Sequence, residues 1–254
     1  MKISACLITR NAAAHLDRCL ASLDWCDEIL VRDQASEDET LEICARHGAR
    51  VVQGEWLGFG PSKAAAVAET RHRWVLSVDA DEVVDDRLRA AILALPDDPM
   101  PAAYRINRLS RFLGRWIRHC GWHPDPLVRL FDKQRAGFDD RPVHEAIHAR
   151  GPVEDLEGLL LHFTYDSVEQ YLAKMDHYTT LGAEVAVASG RRTNLLSVVI
   201  RPKMTFLRTY ILQRGFMDGG HGLALCTLMS VQTFVKYLKI WKAGRGPEAG
   251  SERR

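Results

Sequence analysis

Charge of either sign is not in surplus in this 254-residue chain: 34 Lys+Arg stand against 33 Asp+Glu, a formal net charge of +1. Global electrostatics therefore offers no case for a nucleic-acid partner, and any basic patch has to be local. Cysteine is sparse. Cys6, Cys19, Cys26, Cys44, Cys120 and Cys226 form no CxxC pair and lack the density of a disulfide scaffold, so they read as reduced thiols of a cytoplasmic protein. Long apolar runs are missing too. Arg10, Asp17 and Arg18 interrupt the N-terminal apolar stretch before a signal-peptide core forms, and export is not expected. The longest uncharged stretch, Gly219 to Val235, falls short of the roughly 20 residues that cross a bilayer, which argues against a transmembrane helix. There is no internal repeat, and only the tail from Ala243 has a disordered composition.

What is present suits a folded α/β protein, with 46% hydrophobic and 26% charged residues. Four apolar segments alternate with helical ones: Ile3 to Ile8, Glu28 to Val31, Val51-Val52, and Trp74 to Asp79. Helices are expected to about Leu23, from Leu41, over Pro61 to Glu69, and near Asp85 to Leu95. This alternation predicts a mostly parallel sheet with helices on both faces, joined by right-handed crossovers. Beyond a Pro-rich break (Pro96, Pro99, Pro101), strands are expected at Tyr104 to Ile106 and Leu127 to Phe131, with an edge strand at Leu159 to His162. From Ser167, a capping residue, the pattern is helical to about Trp241. The expected division is a catalytic domain over 1–165, with a nucleotide-sugar half (1–100) and an acceptor half (101–165), then a helical region over 166–242 and a tail.

The stretch richest in chemistry is Trp74-Val75-Leu76-Ser77-Val78-Asp79-Ala80-Asp81-Glu82. A buried strand stops at three carboxylates in four positions, at the kind of strand end where open α/β sheets bind ligands. Alternation in extended backbone lets Asp79 and Asp81 face one divalent cation through hard oxygens. The bland alternative is a helix start, with Asp81 or Glu82 favouring the helix dipole.

Several motifs in order make the chain resemble the inverting family 2 glycosyltransferases, more narrowly the lipopolysaccharide-core β-1,4-glucosyltransferase branch. They are Thr9-Arg10-Asn11, Asp33 with Ser36, Asp38 and Thr40, the turn Glu55 to Gly60, the Asp79-Ala80-Asp81 strand end, Phe112 to Arg118, Gly121-Trp122, Leu130-Phe131, Val143-His144-Glu145, and Phe206 to Phe216. The resemblance implies a GT-A (Rossmann-like) fold, a nucleotide-sugar donor, UDP-glucose above others, and Mg²⁺ or Mn²⁺. Asp81 is the first candidate metal ligand, with Asp79 on the ribose or the cation's water shell and His144 a further metal or phosphate contact. Thr9, Arg10, Asn11, Lys63 and Arg129 join as donor-binding candidates, and Asp33 as acceptor of a hydrogen bond from a pyrimidine base. Each has a structural alternative: a turn acid for Asp33, a surface ion pair for Arg129, a packing role for His144 and His162. The loop after Asp33 departs from the pattern, with Gln34-Ala35 where many members have Ser-Gly, and Arg32 where an apolar or acidic residue is usual. Inversion needs a base for the acceptor hydroxyl; Glu145 is preferred and Asp125 the runner-up.

Arg111, Arg115 and Arg118 interleave with Phe112, Trp116 and Ile117. By itself this segment could be a single-strand stacking platform, an anionic-lipid contact or a solvated face. Beside the donor-site acids, an anionic glycolipid acceptor fits it better. Basic residues around the apolar C-terminal helices suggest an in-plane contact with the cytoplasmic face of the inner membrane; packing against the catalytic domain, or a second copy in a homo-oligomer, is the alternative. The expected activity is hexose transfer to an inner-core glycolipid, against a capsule, exopolysaccharide or protein acceptor, or a non-catalytic nucleotide-sugar-binding scaffold.

Overall fold

The structure, a computed structural model, describes residues 1–98, 100–138 and 146–244. In chain order the elements are β1 (Ile3–Thr9), α1 (Ala13–Ala21), β2 (Glu28–Asp33), α2 (Thr40–Arg46), β3 (Arg50–Gln53), α3 (Phe59–Ala68), β4 (Trp74–Ser77), β5 (Glu82–Val84) and α4 (Asp86–Leu93). There follow β6 (Ala103–Phe112), β7 (Arg115–Trp116), β8 (Pro126–Asp132), β9 (Ala136–Phe138), β10 (Ile147–Ala149), β11 (Val153–Tyr165), α5 (Val168–Ala188), α6 (Leu195–Phe206) and α7 (Gly219–Ala243). They divide into two compact units, Met1–Ser110 with Pro124–Phe163, and Arg111–His123 with Thr164–Arg254.

The first unit is built on a sheet of order β3-β2-β1-β4-β8-β6-β11-β5. Its first four strands are parallel, with Thr9 opposite Asp33 and Cys6 opposite Ser77; β8 then runs antiparallel to both β4 and β6. Strand alternation sends Ala5, Leu7, Val31 and Leu76 into one core with Leu16, Leu20, Ile43 and Leu88 from α1, α2 and α4. Cys6, Leu30 and Val75, on the opposite face, pack with Ala66 and Val67 of α3. Helices therefore cover both faces, as the alternating pattern requires.

Two expectations change. Glu82 does not lead into the next helix: it opens the short strand β5, pairing with His162 of β11, while Asp85 caps α4 by accepting from Leu88 N at 2.8 Å. The Leu159 to His162 segment is no edge strand either, because β5 pairs beyond it. A three-residue strand is too short to leave a period in sequence.

In the second unit Phe112, Ile117, Cys120, Tyr171, Leu225 and Cys226 form a core, so Phe112 and Ile117 of the Arg111 to His119 segment are packed inside rather than offered for stacking, while Trp116 is half-buried. A two-residue turn, Leu113-Gly114, joins Phe112 to its partner Arg115 with both φ angles positive, the geometry of a hairpin turn matched to strand twist. Ser167 caps α5 as expected. The final helix is longer than its uncharged stretch: Gly215–Ala243 is long and apolar enough, by length and composition, to cross a membrane. All six cysteines are free thiols.

Gly158 shows how tightly the first unit is closed. It holds φ +99°, and a Cβ there would fall on the backbone nitrogen of Leu88. Since backbone cannot rotate aside as a side chain can, Gly158→Ala is expected to lower unfolding free energy by about 3 kcal/mol, measurable by urea denaturation.

Candidate active site

The loops after β1 and β2 meet at the carboxyl end of the parallel strands. Asp33 is fully buried. One of its oxygens accepts from the Thr9 and Ser36 hydroxyls at 2.8 and 2.6 Å, the other from Ser36 N at 2.9 Å. Asn11, at φ +51°, donates its backbone N–H to Ser36 Oγ and accepts from Glu37 N, both at 2.8 Å. Asp38 and Thr40 accept from the N–H groups of Ala13 and Ala12 at 3.1 and 2.8 Å, so the start of α1 is capped from the neighbouring loop. Asp33 thus holds the turn, and any contact with a base has to be made alongside those bonds. Ala35 occupies φ +56°; the loop keeps the left-handed conformation that glycine adopts without strain. Arg10 is exposed.

Beyond β4 lies a chain of alternating charges. Lys63 Nζ, on α3, reaches Asp79 Oδ1 at 2.7 Å. Arg129 Nη2, on β8, donates at 2.7 Å both to Asp79 Oδ2 and to Glu82 Oε1. Glu82 Oε2 accepts from the backbone N–H of Asp79 at 2.9 Å, and Arg108 Nη1 approaches Glu82 Oε1 at 3.5 Å. Arg108 in turn holds Asp125 through Oδ2, at 2.9 Å from Nε and 2.8 Å from Nη2. Burial alone would push the Asp79 carboxyl up, but Arg129 and Lys63 beside it hold it well below the usual carboxylate range. Glu82 is fully buried, and burial raises its carboxyl, against the pull of Arg129. The two neighbouring acids are thus pushed apart.

Asp81 takes a separate direction. Its Oδ2 lies 3.3 Å from His162 Nε2, and His162 Nδ1 is 3.2 Å from Ser110 Oγ. Two ligands at right angles on an ion of Mg²⁺ or Mn²⁺ size, each about 2.1 Å away, sit about 3.0 Å apart, a spacing near that of this pair, with Asp81 supplying the hard oxygen. Among the described residues no three His, Cys, Asp or Glu side chains gather into a ligand group. The protein would supply two ligands and leave the rest to phosphates and water. Both Asp79 oxygens are engaged by cationic side chains, whereas Asp81 is directed to His162. His144 and Glu145 lie outside the described residues.

Sequence reading missed Arg108 and the pairing of His162 with Asp81. A signal existed for His162, which ends the apolar run Leu159-Leu160-Leu161 much as Asp79 ends its own. Arg108 carried none.

Residues 4–150 match glycosyl transferase family 2, more than half of the chain, and the chain belongs to that family: it is a glycosyltransferase, with the helix-flanked GT-A sheet that the resemblance implied, mixed in direction and parallel over its first four strands. Lipopolysaccharide core biosynthesis glycosyltransferase LpsC of Rhizobium meliloti is 28% identical, across 95% of this chain and 93% of its own. An uncharacterized glycosyltransferase of Rickettsia typhi is 26% identical, across 94% of this chain and 86% of its own. The crystal structure of S. aureus TarS 1-349 is similar at a TM-score of 0.48 and 13% identity, covering 96% of this chain and 91% of that one.

Removing one partner of a buried ion pair leaves charge uncompensated, at a cost of about 3–5 kcal/mol. Arg129→Met is expected to lose about that much at neutral pH. Asp79's depressed carboxyl contributes stability above its unfolded value of about 3.9 that is lost as pH falls further, while the stranded acids of the variant gain by protonation. The deficit should therefore shrink below about pH 4, as urea denaturation across pH would record.

Proposed function

We propose that this glycosyltransferase moves a hexose, glucose from UDP-glucose, with inversion onto a lipopolysaccharide inner-core or related glycolipid acceptor at the cytoplasmic face of the inner membrane. The observation that supports the reading is the Asp81–His162 pair, with Asp81 two residues beyond the Asp79 that Lys63 and Arg129 hold, after the parallel strand β4. The name of the relative LpsC supports the class of acceptor.

The acceptor oxygen attacks the anomeric carbon, the bond from that carbon to the diphosphate breaks, and the proton goes to a carboxylate on the acceptor side. Glu145 is assigned as that base. Asp125 is the alternative, and Arg108 already holds its Oδ2. Negative charge grows on the departing diphosphate, so fixed cations are worth most in the transition state. Lys63 and Arg129 are held in place by Asp79 and Glu82 to face that charge. A bound Mg²⁺ or Mn²⁺ would add Lewis-acid stabilisation there, with Asp81 and His162 as its protein ligands. Asp79 is assigned to the ribose or the cation's water shell, Thr9, Asn11 and Arg10 to the donor, and Asp33 to the base.

Asp81→Ala and His162→Ala should each abolish transfer with the far-ultraviolet spectrum unchanged; full activity in Asp81→Ala would end the assignment. Glu145→Gln should keep donor binding and lose transfer, and if Asp125→Asn alone behaves so, the roles exchange. A thermal-shift screen of nucleotide sugars with and without Mn²⁺ identifies the donor, because a ligand at 100 times its Kd adds about 2.7 kcal/mol to the folded state.

A further inference from the structure

The helical unit carries an apolar stripe on its outside. Leu196, Val199, Ile200, Met204, Leu207 and Ile211 recur at spacings of three and four along α6 and the π-helical turn Leu207–Leu212 that continues it. Such spacing makes one helix face, and each of the six is 45–66% exposed. Only Val198 and Pro202 of α6 are buried. An amphipathic helix in water normally turns this face to the core.

Charge selects what covers it. Between Glu184 and Asp218 the sequence has no acidic residue but six basic ones, Arg191, Arg192, Arg201, Lys203, Arg208 and Arg214, all exposed. Arg201 lies 4.7 Å over the Tyr237 ring of α7, which fixes its guanidinium beside the stripe. A second copy of the chain on this face would set like charge against like. A span of the bilayer by α6 and its continuation would carry Arg201, Lys203 and Arg208 through hydrocarbon, where each is costly. An anionic lipid surface meets both features, taking the apolar stripe into the acyl boundary and the cations among its headgroups.

We propose that α6 and its π-helical continuation form an in-plane docking surface for anionic membrane lipid. The inference deepens the glycolipid reading above by naming the element that meets the bilayer, and its test does not depend on that reading. Flotation of the purified full chain is measured with vesicles of phosphatidylcholine, with and without phosphatidylglycerol. The chain should float with the anionic vesicles at low salt, and be released by high salt or alkaline carbonate. Leu196→Asp with Ile200→Asp should lose at least about tenfold in partitioning. Lys203→Gln with Arg208→Gln should lose about fivefold per residue removed. Both variants change only exposed positions, so their melting temperatures should match the parent. Absence of flotation, equal flotation with neutral vesicles, or retention through carbonate overturns the proposal. So does a lipid-free dimer, by sedimentation, that the aspartate variant dissolves. Transfer to a delipidated, water-soluble acceptor is followed alongside. Flotation without transfer would count against the glycolipid reading alone, and transfer without flotation against the docking surface alone.

Discussion

Glu82 is the constraint from which the first unit's site is arranged. A carboxylate with no exposure is tolerable only if its oxygens are satisfied. Here the Asp79 amide and the Arg129 guanidinium do so, with Arg108 nearby. Through those contacts one side chain sets the turn after β4 and draws a β8 arginine to the strand end. That arginine in turn neutralises Asp79 together with Lys63. The acids of the Asp79-Ala80-Asp81-Glu82 stretch thus have separate duties: Glu82 structural, Asp79 holding cations, Asp81 directed to His162.

The base of the site is pre-arranged in the same spirit. Asp33, Ser36, Asn11 and Asp38 are spent on one another's backbones, so two loops behave as one surface before any ligand arrives. Preorganisation of this kind lowers the ordering cost of binding. Ala35 accepts a left-handed φ to keep it. Gly54 serves the same end, since a Cβ there would fall on the guanidinium of Arg32, the residue that departs from the family pattern and pairs with Glu69 at 2.6 Å.

The units differ in how they bury apolar surface. The first fills both faces of its sheet; the second has smaller cores and leaves the stripe on α6 in solvent. The Arg111 to His123 segment belongs with the helices, although its place in the chain puts it between β6 and β8. The chain passes from the first unit to the second at Phe163–Thr164, and the residues between Arg111 and His123 sit with the second unit rather than with their neighbours in sequence. Continuity in sequence carries no information about which core a hairpin joins.

By itself the sequence determined the parallel half of the sheet, the helices on its two faces and the strand end that bears Asp79 and Asp81. Those features follow from local periodicity and from residue types within a few positions of one another. The tertiary structure alone decided which partners those acids acquire. Lys63, Arg108, Arg129 and His162 come from four separate elements, and a salt bridge or ligand pair leaves no periodic trace in the chain. It also decided which way the α6 stripe faces, because a three-and-four spacing marks an apolar face without saying whether protein or lipid will cover it.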